Sequence, residues 1–379
     1  MIVIAMKIPL SNPDITDLEI KYVTQALRTP NLSLGPKLVE FETKMAEFVG
    51  VKYAIATNSG TSALHLIIRT LGIKDGDEVI TTPFSFIASA NCILFEKAEP
   101  VFVDIDPLTL NIDVNRIEER ITEKTKAILA VDIFGYPAEW NRLEQIAKEY
   151  KLKLIEDSCE ALGAEYKGRK AGTFGEAAAF SFYPNKQMTT GEGAVIVTND
   201  REVANLCRSM RNQGRGNSDD WLEHQRLGYN YRLSDINCAL GIAQLERIEE
   251  LLGKRERVAQ MYNMKLKDWQ EVKIPCSSPD VRRSWFVYVV VLQDKYSRED
   301  RDNILQELRK RGIGCSNYFT PIHLQPFYVE MFSFRKGDFP VTEHVSERTV
   351  ALPFYNNISE PEIDSVIQSL KEIVSNLRK

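Results

Sequence analysis

Short apolar runs rich in Ile, Val and Ala recur through the first half of the chain, and stretches of helical period separate them. The runs at 53–57, 78–81, 100–103, 126–131, 153–156, 177–182 and 194–198 predict strands. Between them, 61–72, 86–96, 113–121 and 139–151 repeat apolar residues every third or fourth position and predict helices. This rhythm predicts an α/β fold with a mostly parallel, seven-stranded sheet covered on both faces. Two amphipathic helices, 14–28 and 36–49, precede the sheet, and a long helical pattern from Asp235 past Leu252 leads away from it. Beyond about 254, a strand run (Trp285 to Leu292), a helix (299–311) and a last helix (360–377) predict a smaller α+β domain. The chain therefore divides into a large α/β domain with N-terminal helices, 1–250, and a small C-terminal domain, 251–379. Arg211 to Arg226 is the longest stretch without clear period, and loops of that length are functional or disordered.

Three short segments carry candidate chemistry. Lys186 lies between the apolar run ending at Phe182 and the turn Gly191-Glu192-Gly193. A lysine held partly out of water at a sheet edge favours the neutral, nucleophilic amine, which condenses with a carbonyl to form a Schiff base. A solvated loop lysine is the competing reading, and this segment by itself leaves the two even. Glu156 and Asp157 end the run that starts at Lys153. In open α/β sheets ligands bind beyond the carboxyl ends of strands, so an acid there can face a cofactor. Pyridoxal phosphate requires an acid against its pyridine nitrogen; helix capping is the plainer role for Asp157. Finally, Thr57 to Leu64 is a small, hydroxyl-rich turn opening a helix, which suits a phosphate as well as an ordinary cap.

Taken in order, these segments resemble one family. Asn58-Ser59-Gly60-Thr61-Ser62-Ala63-Leu64, then Glu156-Asp157, then Ser181 and Lys186 ahead of Gly191-Glu192-Gly193, are similar to the DegT/DnrJ/EryC1/StrS sugar aminotransferases, which have the fold-type I pyridoxal-phosphate architecture. Thr82 to Ile87, Pro100 to Asp106, Gly228 to Ile236, Ala239 to Arg247 and Tyr318 to Pro326 extend the resemblance from about Ile8 to the last helix. It implies that Lys186 forms the Schiff base and shuttles a proton, and that Asp157 pairs with the pyridinium nitrogen. It implies that Ser181, Gly60 and Thr61 hold the phosphate and that Phe86 stacks on the ring. Glu160 would lie close to that ring, where relatives often carry Gln or His. Asn230 would reach the cofactor phosphate of a neighbouring subunit, implying a homodimer with shared active sites. Tyr318 and His323 would lie near the substrate. The implied reaction moves an amino group from glutamate to a keto carbon of a nucleotide-linked deoxy sugar, for surface polysaccharides, glycans or antibiotic sugars.

Composition narrows the rest. A net charge of −5 gives no pull toward nucleic acid or anionic membranes, and no apolar run is long enough to span a bilayer. Cysteines at 92, 159, 207, 238, 276 and 315 form no CxxC pair, which argues against a metal site and for a reducing cytoplasm. Met1 to Met6 lacks a basic region, so a signal peptide is not expected, and Met6 is a candidate initiator. Two other readings stay in view: a cofactor-binding regulator without turnover, and a lyase of the same fold. A related dehydratase branch shares the acid at Glu160 but replaces the Schiff-base lysine by histidine; Lys186 therefore favours transamination.

Overall fold

The computed structural model describes residues 7–216 and 223–377. The apolar runs form strands β1 (Tyr53–Thr57), β2 (Glu78–Thr81), β3 (Glu99–Phe102), β4 (Thr125–Val131), β5 (Lys153–Asp157), β6 (Ala177–Ser181) and β7 (Ala194–Thr198). They make one sheet in the order β1-β7-β6-β5-β4-β2-β3. The ladders joining β3, β2, β4, β5 and β6 are parallel, and β7 runs against both of its neighbours. The mostly parallel sheet is thus present.

Alternation along the strands sorts side chains between two cores. Ile55, Ile155, Ala177, Ala179, Ala194 and Ile196 pack with the helices Gly60–Thr70, Ala88–Leu94 and Arg201–Arg211. Their strand neighbours face the other way. Ala54, Ala56, Ala178, Phe180, Val195 and Val197 pack with Phe41, Met45 and Ile242, while Leu154 packs with Trp140 and Leu143. A further core gathers Val258, Tyr262, Tyr288, Ile304, Leu308, Phe354 and Leu370. Ile8 joins it by bridging to Ile313.

Four segments depart from the periodic reading. The stretch 113–121 is two 3-10 turns, Val114–Arg116 and Glu118–Arg120, because Asp113 turns back to accept from the N–H of Asn115. The long pattern from Asp235 is two helices, Asp235–Glu246 and Ile248–Leu266, which meet at Arg247. There the guanidinium reaches Asp14, Glu19 and Glu250. The strand expected from Trp285 begins at Tyr288 and pairs with Thr349–Leu352 and Val272–Lys273. The loop begins at Asn212, after the helix Arg201–Arg211, and Arg215 bridges to His224 across it. Residues 217–222 of that loop, and the candidate start at Met6, lie outside the described residues. Among the described residues no helix is long and apolar enough to cross a membrane.

Candidate active site

Asp157 and Ser181 end β5 and β6 in the register of Ile155 and Ala179, so both belong to the face covered by the helices Gly60–Thr70 and Ala88–Leu94. Beyond those strand ends lies a cavity of about 500 Å³. Gly60, Thr61, Phe86, Asp157, Glu160, Ser181, Lys186 and Tyr318 all line it. Asn230 and His323 are the two candidate residues it leaves out.

The buried carboxylate of Asp157 is held at the floor. Its Oδ2 accepts from Ser89 Oγ at 2.6 Å, and the Ser85 and Ser89 hydroxyls lie 2.8 Å apart. Its Oδ1 accepts from the N–H of Cys159 at 3.3 Å. A short hydroxyl-to-carboxylate bond fixes the orientation of the acid.

At one end of the cavity the helix Gly60–Thr70 begins. Ser59 caps it, accepting from the N–H of Ser62 at 3.1 Å. The first-turn amides of Gly60 and Thr61 have no acceptor within their own helix, which suits an anion. A Cβ at Gly60 would come within 3.1 Å of Cys159 Sγ and 3.3 Å of Ser181 Cβ. Glycine therefore eases the close approach of the helix start to the end of β6, where a side chain would press its neighbours back by a few tenths of an ångström.

Lys186 projects from the loop after β6, its side chain 12% exposed. Its Nζ lies 3.4 Å from Glu160 Oε1 and 3.8 Å from the centroid of the Phe286 ring. Glu160 Oε2 in turn accepts from the N–H of Phe134 at 2.9 Å. Burial pushes the Glu160 carboxyl up from its ordinary range, while Lys186 and the Phe134 amide act against that rise. Tyr318 stacks on Phe286 and Phe319, and burial pushes its hydroxyl up. Phe86 is 60% exposed at the cavity wall and does not belong to a core.

The two residues outside the cavity have different surroundings. Asn230 is exposed, bridges to Asn212, and its carbonyl accepts from Asn58 Nδ2 at 3.5 Å. His323 is fully buried: Nε2 lies 3.0 Å from Glu343 Oε1 and the ring packs on Phe339. The structure therefore places His323 outside this cavity, buried against Phe339 and Glu343.

Other residues of the site have weaker sequence signatures. Ser89 lies in the first turn of the helix Ala88–Leu94, and Ser85 reaches it from the loop before that helix. Phe286 comes from the run before the strand Tyr288–Leu292, and Arg255 from the helix Ile248–Leu266. Nothing in their local pattern ties either one to Lys186.

A lysine amine, a buried acid and a glycine-started helix around one cavity, beyond the ends of parallel strands, are the parts a fold-type I pyridoxal-phosphate enzyme requires. The residues fit that cofactor: the acid suits a pyridinium nitrogen, the amine a carbonyl, and the helix start a phosphate. The chain belongs to the DegT/DnrJ/EryC1/StrS aminotransferase family, whose model it matches over residues 13–371. GDP-perosamine synthase of Caulobacter vibrioides is 38% identical, with 97% of this chain and 98% of that protein covered. The solved structure of Helicobacter pylori PseC, an aminotransferase in the biosynthesis of pseudoaminic acid, superposes with a TM-score of 0.93 at 32% identity, covering 97% of this chain and 99% of that one. The pyridoxal-phosphate form of Spr1654 from Streptococcus pneumoniae superposes with a TM-score of 0.92 at 29% identity, over 97% of this chain and 99% of that one. This chain is accordingly a pyridoxal-phosphate-dependent sugar aminotransferase.

Proposed function

We propose that the enzyme moves an amino group from glutamate to the keto carbon of a nucleotide-linked deoxy sugar, with Lys186 as its catalytic base. The observation that carries this reading is the convergence of the Lys186 amine and the Asp157 carboxylate on one cavity beyond the strand ends. Gly60, Thr61 and Ser181 would hold the cofactor phosphate, Asp157 its ring nitrogen, and Phe86 one face of the ring. Bound there, pyridoxal phosphate withdraws the electron pair left when a proton leaves the substrate carbon. Lys186 takes that proton and returns it at the cofactor's side, and a single amine working from one face sets the stereochemistry. Asp157, oriented by the Ser89 hydroxyl, would pair with the ring nitrogen. Tyr318, at the wall beside Phe286, would meet the sugar.

A second copy of the chain completes the reading. Among the described residues lining the cavity, Lys186 is the one cation, while the cofactor, the donor and a sugar nucleotide are all anionic. The exposed Asn230, outside its own cavity, would serve a partner subunit. Six unpaired cysteines accord with work in a reducing cytoplasm. The small C-terminal unit would begin near 251, within the helix Ile248–Leu266. A panel of keto-sugar nucleotides with glutamate, scored for 2-oxoglutarate and amino sugar, tests the proposal. Turnover of one member supports it. Release of pyruvate or sulfide from amino acids without sugar amination would replace it by a lyase.

A further inference from the structure

Lys186 has a built seat. Glu160 stands on one side of its Nζ and the Phe286 ring on the other, at 3.4 Å and at 3.8 Å from the centroid. A carboxylate and the negative face of an aromatic ring both attract the nitrogen end of a lysine and hold it in place.

Each wall is fixed by main-chain contacts remote from the cofactor end of the cavity. Glu160 is held by the N–H of Phe134, a residue in the left-handed region at φ 53°. That conformation is unfavourable for a side-chain-bearing residue and turns its amide toward the acid. Gly135 follows at φ 76°, where a Cβ would lie 1.6 Å from the carbonyl oxygen of Ser284. The turn that holds Glu160 thus packs directly on the segment that carries Phe286.

Arg255 fastens the other side. It is 3% exposed, and its guanidinium donates to the carbonyls of Lys186 at 2.6 Å, Asn185 at 3.2 Å, Phe286 at 3.1 Å and Trp285 at 3.4 Å. The buried cation ties the main chain of the lysine to the main chain of the ring beneath it.

We infer that Glu160 and Phe286 form a seat for the Lys186 side chain when it is free of the cofactor between half-reactions. Glu160 is then a positioning residue that acts on the lysine, which separates it from the ring contact implied by resemblance. The seat keeps the amine inside the cavity between half-reactions, so the base does not have to be recovered from solvent. The inference rests on the reading of Lys186 as the cofactor's lysine.

The test uses the protein loaded with pyridoxamine 5′-phosphate, in which Lys186 carries a free amine. A brief pulse of N-succinimidyl acetate at pH 8 is followed by peptide mass spectrometry, with Lys336, 72% exposed, as internal reference. Glu160→Gln keeps the shape and removes the charge. It is expected to raise acetylation of Lys186 about ten-fold relative to Lys336. Phe286→Leu is expected to raise it about three-fold, and it carries the test should Glu160→Gln fail to hold the cofactor. Unchanged labelling in a variant that binds the cofactor normally would overturn the seat. Borohydride reduction of the pyridoxal-phosphate form keeps the two ideas distinct. A cofactor tag on the Lys186 peptide with unchanged labelling removes the seat alone, whereas a tag on another lysine removes both.

Discussion

Glu156 and Asp157 stand side by side at the end of β5, both buried, and the strand sends them to opposite faces of the sheet. Glu156 meets only main chain among its hydrogen-bond donors. The amides of Gly172, Phe174 and Gly175 converge on its carboxylate at 2.7, 2.5 and 2.6 Å and fold the turn before β6. Asp157 meets a serine hydroxyl and an open cavity. Both are carboxylic acids and both are buried, so neither property marks a functional acid. What separates them is unfilled space: the amides around Glu156 close it in, whereas Asp157 keeps a side open to a ligand.

The comparison can be broken at several points. Lys186→Ala, on the cavity side, should lower transamination by more than about 10³-fold with the melting profile of the fold retained. Asp157→Asn should lower kcat by about 100-fold while leaving stability nearly unchanged. Glu156→Ala should do the reverse. Losing the acceptor for three amides, two of them buried, should cost roughly 3 kcal/mol in denaturant unfolding, with kcat per folded molecule close to wild type. If Glu156→Ala lowers kcat as much as Asp157→Asn, the division between the two faces fails.

Removing the cofactor should act on the open side alone. Protein stripped of pyridoxal phosphate should lose about 3–4 kcal/mol relative to protein saturated at 100–1,000 times the dissociation constant, and Asp157→Asn should shrink that difference.

The smallest expected effect lies far from both acids, where Arg247 and Lys254 clasp the N-terminal segment. Burial opposes ionisation of Asp14 and Glu19. Hydrogen bonds from Lys254 and Arg247 to Asp14, and from Thr16 and Arg247 to Glu19, outweigh it and hold both carboxyls below their ordinary range. Their folded forms therefore bind protons less readily than the unfolded chain does. The stability they add is present above about pH 4 and is lost as pH falls below it. Melting temperatures recorded from pH 6 to pH 3 should drop less steeply in Arg247→Met than in wild type.

Much of this was legible in the sequence because strand ends and helix starts leave local marks. Gly60, Asp157, Ser181 and Lys186 each sit where an apolar run stops, and a parallel sheet gathers such ends at one edge. The helix Arg201–Arg211 lies outside the predicted elements, although Val203, Cys207 and Met210 make an apolar stripe at helical spacing among polar residues. What the pattern could not convey is contact between distant segments. Arg255 stands in a charge-rich helical stretch, and its bonds to four carbonyls follow from tertiary packing alone. His323, between Pro321 and Pro326, is set near a substrate by resemblance alone. It is buried beside Glu343, twenty positions on, which no local pattern links to it.

The most direct test of the central claim is to add glutamate to the pyridoxal-phosphate form and follow the visible band of the lysine-bound cofactor. The account predicts that the band is discharged, that stoichiometric 2-oxoglutarate appears, and that Lys186→Ala forms no such band. A band that glutamate leaves untouched would contradict glutamate as donor, and a normal band in Lys186→Ala would contradict the role of Lys186 itself.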